Sequence, residues 1–175
     1  LEQDKANLGT NLMQLNRMLA KHGDKIAIQK LIDRVAMPYD GLPEAHFAMA
    51  QAAANASDNL RALNETEKSL QLRPDWEIAA IARAQLQSQQ SANTAIDSLT
   101  NFVDRNPGAH DARLALARLL ITEKRYDESR KQFDRLIKDT PDNPEVMYPV
   151  AMLALQQGDT VTGRPSARAP TSSRS

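Results

Sequence analysis

From residue 9 to residue 158, apolar side chains return at i, i+3, i+4 and i+7, in runs separated by short Gly, Asp, Asn and Pro punctuation. That spacing gathers the apolar positions on one face of a helix. No run sustains the period-two alternation of a half-buried strand, and the segments are filled with Ala, Leu, Gln, Lys, Arg and Glu, which favour helix. The pattern predicts an all-α chain of about nine helices.

A longer period lies over the helical one. Leu15, Met49, Ala82, Leu116 and Val150 are separated by 34, 33, 34 and 34 residues, and Leu19, Ala53, Leu86, Leu120 and Ala154 keep the same spacing. Ile28, Ala62, Ala95 and Ser129 form a third column, and Pro74, Pro107 and Pro141 close successive units. A single helical hairpin exposes apolar surface on both sides. Such units must therefore stack, and at least about three are needed for a stable array.

These columns resemble the tetratricopeptide repeat, a helix–turn–helix unit of about 34 residues. The clearest copy is HDARLALARLLITEKRYDESRKQFDRLIKDTP at residues 110–141, with Leu116, Ala117, Leu120, Tyr126, Ser129, Phe133 and Pro141 on the consensus positions. The resemblance implies a right-handed α-solenoid over residues 1–160, with units at 9–42, 43–74, 76–107 and 110–143 and a half unit at 144–157. Small residues at Ala50, Ala117 and Ala151, and at Ala62, Ala95 and Ser129, would let helices approach closely. Ile28, Asn16 and Arg83 depart from that rule. The apolar face of 144–157 is expected to be partly open. Residues 161–175, with Arg164, Arg168 and Arg174 and no acid, are too polar to fold by burial and read as a disordered, non-native or truncated end.

In tetratricopeptide arrays the first helices line a concave wall, so the resemblance also implies a groove. Its fifth positions fall on Met13, Phe47, Ala80, Leu114 and Tyr148, and its ninth on Arg17, Gln51, Ala84, Arg118 and Met152. An apolar floor with two arginines suits a partner polypeptide bearing hydrophobic anchors and acidic groups. The alternative is that Phe47, Leu114 and Tyr148 pack between neighbouring units. Glu44, Glu77, Asp111 and Glu145 read as first-turn acids that complement the helix dipole. Trp76 reads as a core anchor at a junction between units. The clamp that grips chaperone tails is not matched, because Met13, Arg17, Glu77 and Ile81 stand where it needs Lys, Asn and basic residues. The implied function is a non-enzymatic scaffold or adaptor. A structural alternative is self-association through the open edge at 144–157.

Composition narrows the chemistry further. The 175 residues contain no cysteine, which removes disulfides, thiolate zinc sites and thiol catalysis. No apolar run reaches the roughly 20 residues of a membrane span. His22, His46 and His110 are far apart, with no second ligand at helical metal spacing, and His46 falls on a core-facing position. Gly158 and Gly163 have phosphate-loop spacing, but Arg164 and Pro165 follow where Lys and Ser or Thr are required. No catalytic set and no cofactor motif can be assembled. Residues 113–138 hold eight basic against four acidic side chains, with Asp127/Lys131 and Asp134/Lys138 at i,i+4 spacing. With only seven aromatic residues and a net-acidic body over 1–160, nucleic acid is not an expected partner.

Three stretches, at 42–53, 70–77 and 113–148, are similar to the C-terminal repeats of exported proteobacterial tetratricopeptide proteins. That group includes an outer-membrane lipoprotein that is an adaptor of a carboxyl-terminal processing protease. This likeness implies a bacterial periplasmic or outer-membrane-anchored scaffold, with a signal peptide ahead of Leu1 and a protease or its substrates as partners.

Overall fold

The computed structural model describes residues 24–140 and the helix at 144–156, with side chains through Val150. Eight α-helices and one short 3-10 turn make up the described residues, which contain no strand. They are α1 (Lys25–Ala36), α2 (Pro43–Asn55), α3 (Asn59–Leu72), α4 (Glu77–Ser88), α5 (Ala92–Arg105), α6 (His110–Thr122), α7 (Tyr126–Asp139) and α8 (Pro144–Gln156). The helix expected around Leu15 and Leu19, and the tail at 161–175, lie outside the described residues.

Each helix packs on the next, and α4 also touches α6, so the hairpins α2/α3, α4/α5 and α6/α7 stack side by side. Local chemistry sets the helix starts. Asp24 accepts from the Ile26 and Ala27 amides at 2.9 and 3.4 Å, Asp58 from Arg61 N at 3.2 Å, and Ser91 from Thr94 N at 3.3 Å. These caps satisfy amides that have no partner within the helix. The turns within α2/α3 and α6/α7 share one geometry. Ser57 and Lys124 adopt positive φ values of 65° and 59°, and the following amides, Asp58 N and Arg125 N, donate back to the Ala53 and Leu120 carbonyls. That is the left-handed helix ending usually given to glycine.

The core follows the stack. Phe47, Leu70, Ile96, Phe102, Leu116 and Leu120 belong to one buried cluster that runs from α2 to α6. A second joins Ile28 and Ile32 to Ala45, Ala48 and Met49, and a third joins Leu114 and Ala117 to Phe133, Leu136 and Val146. Ile28, the bulky exception in its column, fits because the facing α2 presents alanines. The other three members of that column, Ala62, Ala95 and Ser129, have no exposed surface. Ser129 Oγ donates to the Ala117 carbonyl at 2.8 Å, so its hydroxyl is satisfied inside the hairpin. Arg83 lies half-buried, with Nη1 3.0 Å from Glu67 on α3.

Candidate functional site

Residues of α4 and α6, with the start of α8, line an open cleft of about 460 Å³. Its lining repeats at helical spacing: Ile81, Ala84, Gln85 and Ser88 from α4, and Asp111, Leu114, Ala115, Arg118, Leu119 and Thr122 from α6. Leu99 of α5 and Glu145 of α8 complete it. The volume falls within the range of about 300–1,000 Å³ in which proteins hold small ligands or short segments. Three of the sequence-derived groove positions, Ala84, Leu114 and Arg118, meet here. Sequence reasoning did not single out Gln85, Ser88, Ala115, Leu119 or Thr122. They are the i+1 and i+4 neighbours of the chosen positions, and a stripe wider than one residue would have found them.

The other chosen positions lie apart from this cleft. Phe47 and Ala80 are buried in the main core, and Gln51 is half-buried on α2. Phe47 is covered because the Trp76 ring lies tilted against it, with centroids 5.0 Å apart, and the Arg73 guanidinium lies 4.6 Å from the Trp76 ring centre. Trp76 is thus a junction anchor in contact with both an aromatic ring and a cation. Tyr148 is 71% exposed on α8. Met152 belongs to α8, but its side chain, together with Met13 and Arg17, lies outside the described residues.

The first-turn acids do more than complement their own helices. Glu77 of α4 accepts from the Ala112 amide of α6 at 2.6 Å, where Ala109 offers no side-chain cap. Glu44 of α2 pairs with Arg73 ahead of α4, and Glu145 of α8 lies 3.1 Å from Arg118 of α6. Glu77 and Glu145 therefore tie one hairpin to the next, while Glu44 ties the start of α2 to the end of α3 within its own hairpin. Asp111, a methylene shorter, takes neither an ion pair nor a side-chain hydrogen bond among the described residues, and it lines the cleft.

Two buried polar groups also join elements. His46, on α2, places Nδ1 2.6 Å from Glu65 Oε2 of α3, and its Nε2–H donates to the Asp40 carbonyl at 2.7 Å. His46 is core-facing as its register predicts, but it holds a polar network there. Burial pushes the Glu65 carboxyl up, and hydrogen bonds from His46 and Lys68 outweigh that, leaving it below its ordinary value. Arg113, counted among the cations of 113–138, is 2% exposed. Its Nη2 donates to the Val103 and Pro107 carbonyls at 3.4 and 3.2 Å, capping the C-terminal end of α5. Burial lowers its pKa, as does nearby Arg135, against the pull of Asp139 and Asp104. On the outer face, Arg125 grips Glu128 at 2.6 and 2.7 Å, which holds the Glu128 carboxyl below its ordinary value despite slight desolvation.

With this geometry, comparison with known proteins becomes informative. Residues 86–153 match the tetratricopeptide repeat family. The tetratricopeptide fold extends over most of the chain. MamA from Desulfovibrio magneticus RS-1 is 19% identical, with 89% of this chain and 87% of that one aligned at a TM-score of 0.62. TTC0263, a thermophilic tetratricopeptide protein of Thermus thermophilus, is 16% identical over 86% and 84% of the chains at 0.60. YrrB, described as a tetratricopeptide protein with an unusual peptide-binding site, is 14% identical over 86% and 78% at 0.57. At these identities the likeness is one of fold. No curated protein matches the sequence.

Proposed function

We propose that this chain is a non-enzymatic scaffold that holds a segment of a partner polypeptide in the α4/α6/α8 cleft. The observation that carries the reading is the cleft itself: an aliphatic floor of Ile81, Leu114 and Leu119 edged by Gln85, Ser88, Asp111 and Arg118. The buried polar groups His46, Glu65 and Arg113 are consumed in joining helices, and none lines the cleft. YrrB, a protein of the same fold, has a peptide-binding site. The narrower role, adaptor of a periplasmic carboxyl-terminal processing protease, rests on the stretches at 42–53, 70–77 and 113–148 alone.

The test begins with a displayed library of random dodecapeptides selected on the immobilised chain. Ala115→Trp fills the half-buried cleft wall with an uncharged ring and is expected to weaken the selected peptides about tenfold, the scale of a steric clash at a packed contact. Asn101→Trp, in the separate cleft that includes Glu67, Pro74 and Phe102, is expected to leave them unchanged. Peptides indifferent to Ala115→Trp, or lost through Asn101→Trp, would move the site off this wall.

A second reading, self-association through α8, is favoured by Met147 and Tyr148, which are 52% and 71% exposed. Its signature is protection of residues 144–150 that grows as the chain is concentrated.

A further inference from the structure

Resting on that reading of the cleft, we infer that its partner carries an aliphatic side chain next to a lysine or arginine, with Asp111 as the counter-charge. By sequence alone, the two groove arginines, Arg17 and Arg118, suit an acidic partner. The rim reverses that sign. Arg118, the one cation lining the cleft among the described residues, is already engaged by Glu145 at 3.1 Å. The three charged side chains of the rim, Asp111, Arg118 and Glu145, sum to one negative charge. An incoming carboxylate would have to displace Glu145 from Arg118 while remaining in the field of two acids.

A cation meets the opposite situation. Asp111 stands at the cleft edge, exposed and without a side-chain partner among the described residues, one helical turn before Leu114 and Ala115. An aliphatic side chain on the floor thus brings a neighbouring basic residue to this carboxylate. The Gln85 amide along the rim suits a main chain lying across it, and the Ser88 and Thr122 hydroxyls, which donate to the Gln85 and Arg118 carbonyls, can accept from that chain's N–H groups.

The experiment uses two fluorescein-labelled peptide pools on a Gly/Ser background, each with one central Leu, Ile, Val or Met, flanked in one pool by Lys and in the other by Glu. A third pool has Lys flanks and a central Gly. Fluorescence anisotropy at low salt is expected to show the anchored Lys pool binding about fivefold tighter than the Glu pool, as one exposed charge pair allows. It should also bind tighter than the Gly-centred pool, which separates cleft binding from general attraction to an acidic body. Asp111→Asn is expected to abolish the preference for Lys over Glu, and Asp111→Lys to reverse it. Both variants change an exposed position, and their helical circular dichroism provides the folding check. A Glu pool that binds as tightly as the Lys pool, or a preference that survives Asp111→Asn, overturns the basic-partner inference and leaves the cleft reading intact. Failure of both anchored pools to bind overturns the two together.

Discussion

Replacing Phe133 with alanine lowers the unfolding free energy by about 3–5 kcal/mol, the cost of emptying a buried aromatic site that cannot collapse. Phe133 has no exposed surface, and its cluster joins α7 to Leu114 and Ala117 of α6 and to Val146 of α8. It therefore seals two interfaces at once. Against a total stability of about 5–15 kcal/mol for an ordinary domain, the loss is a large fraction. In a stacked array each unit answers mainly to its neighbours, so α8 should loosen first. Pro149, inside α8, already removes one of its helical hydrogen bonds. Urea denaturation measures the change, and Phe133→Leu should recover most of it. A cost below about 1 kcal/mol would mean that the seam between α6, α7 and α8 is not closely packed. Because Leu114 shares this cluster and also floors the cleft, Phe133→Ala should weaken peptide binding as well.

Removing the Glu65 side chain, as Glu65→Ala, costs about 1–3 kcal/mol, because the buried His46 Nδ1 is then left without its hydrogen-bond partner. This network has a defined pH dependence. Burial alone would raise the Glu65 carboxyl, but the bonds from His46 and Lys68 bring it below its ordinary 4.5. A carboxyl depressed in the folded chain takes up its proton more readily once unfolded. Its contribution is then complete above pH 4.5 and disappears as pH falls through the lower, folded value. Unfolding free energies measured from pH 7 to pH 3 should fall more steeply for the native chain than for Glu65→Gln. Equal slopes would show that Glu65 is not held ionised by this network.

The sequence pattern revealed the helices and the spacing of the close contacts, because burial of one helix face leaves a direct periodic trace. Ile28, Ala62, Ala95 and Ser129, aligned from spacing alone, are all buried. Depth was less legible than direction. Phe47 shares the register of Leu114, but Trp76 from the neighbouring junction covers it, and that partner is set by packing between units. Charged positions were the hardest to read. Arg113 belongs by composition to a basic surface, yet the open carbonyls ending α5 give it a buried place. Glu77 and Asp111 occupy the same register, and only the longer side chain reaches across to the following hairpin. A column of acids does not display that difference.

The most direct measurement is amide hydrogen exchange of the full chain, with and without a library-selected peptide, over a series of chain concentrations. Binding in the α4/α6/α8 cleft predicts new protection confined to residues 81–88 and 111–122 when peptide is added. Protection that instead appears at 144–150 on concentrating the chain alone, with the α4 and α6 amides unmoved by peptide, would contradict it.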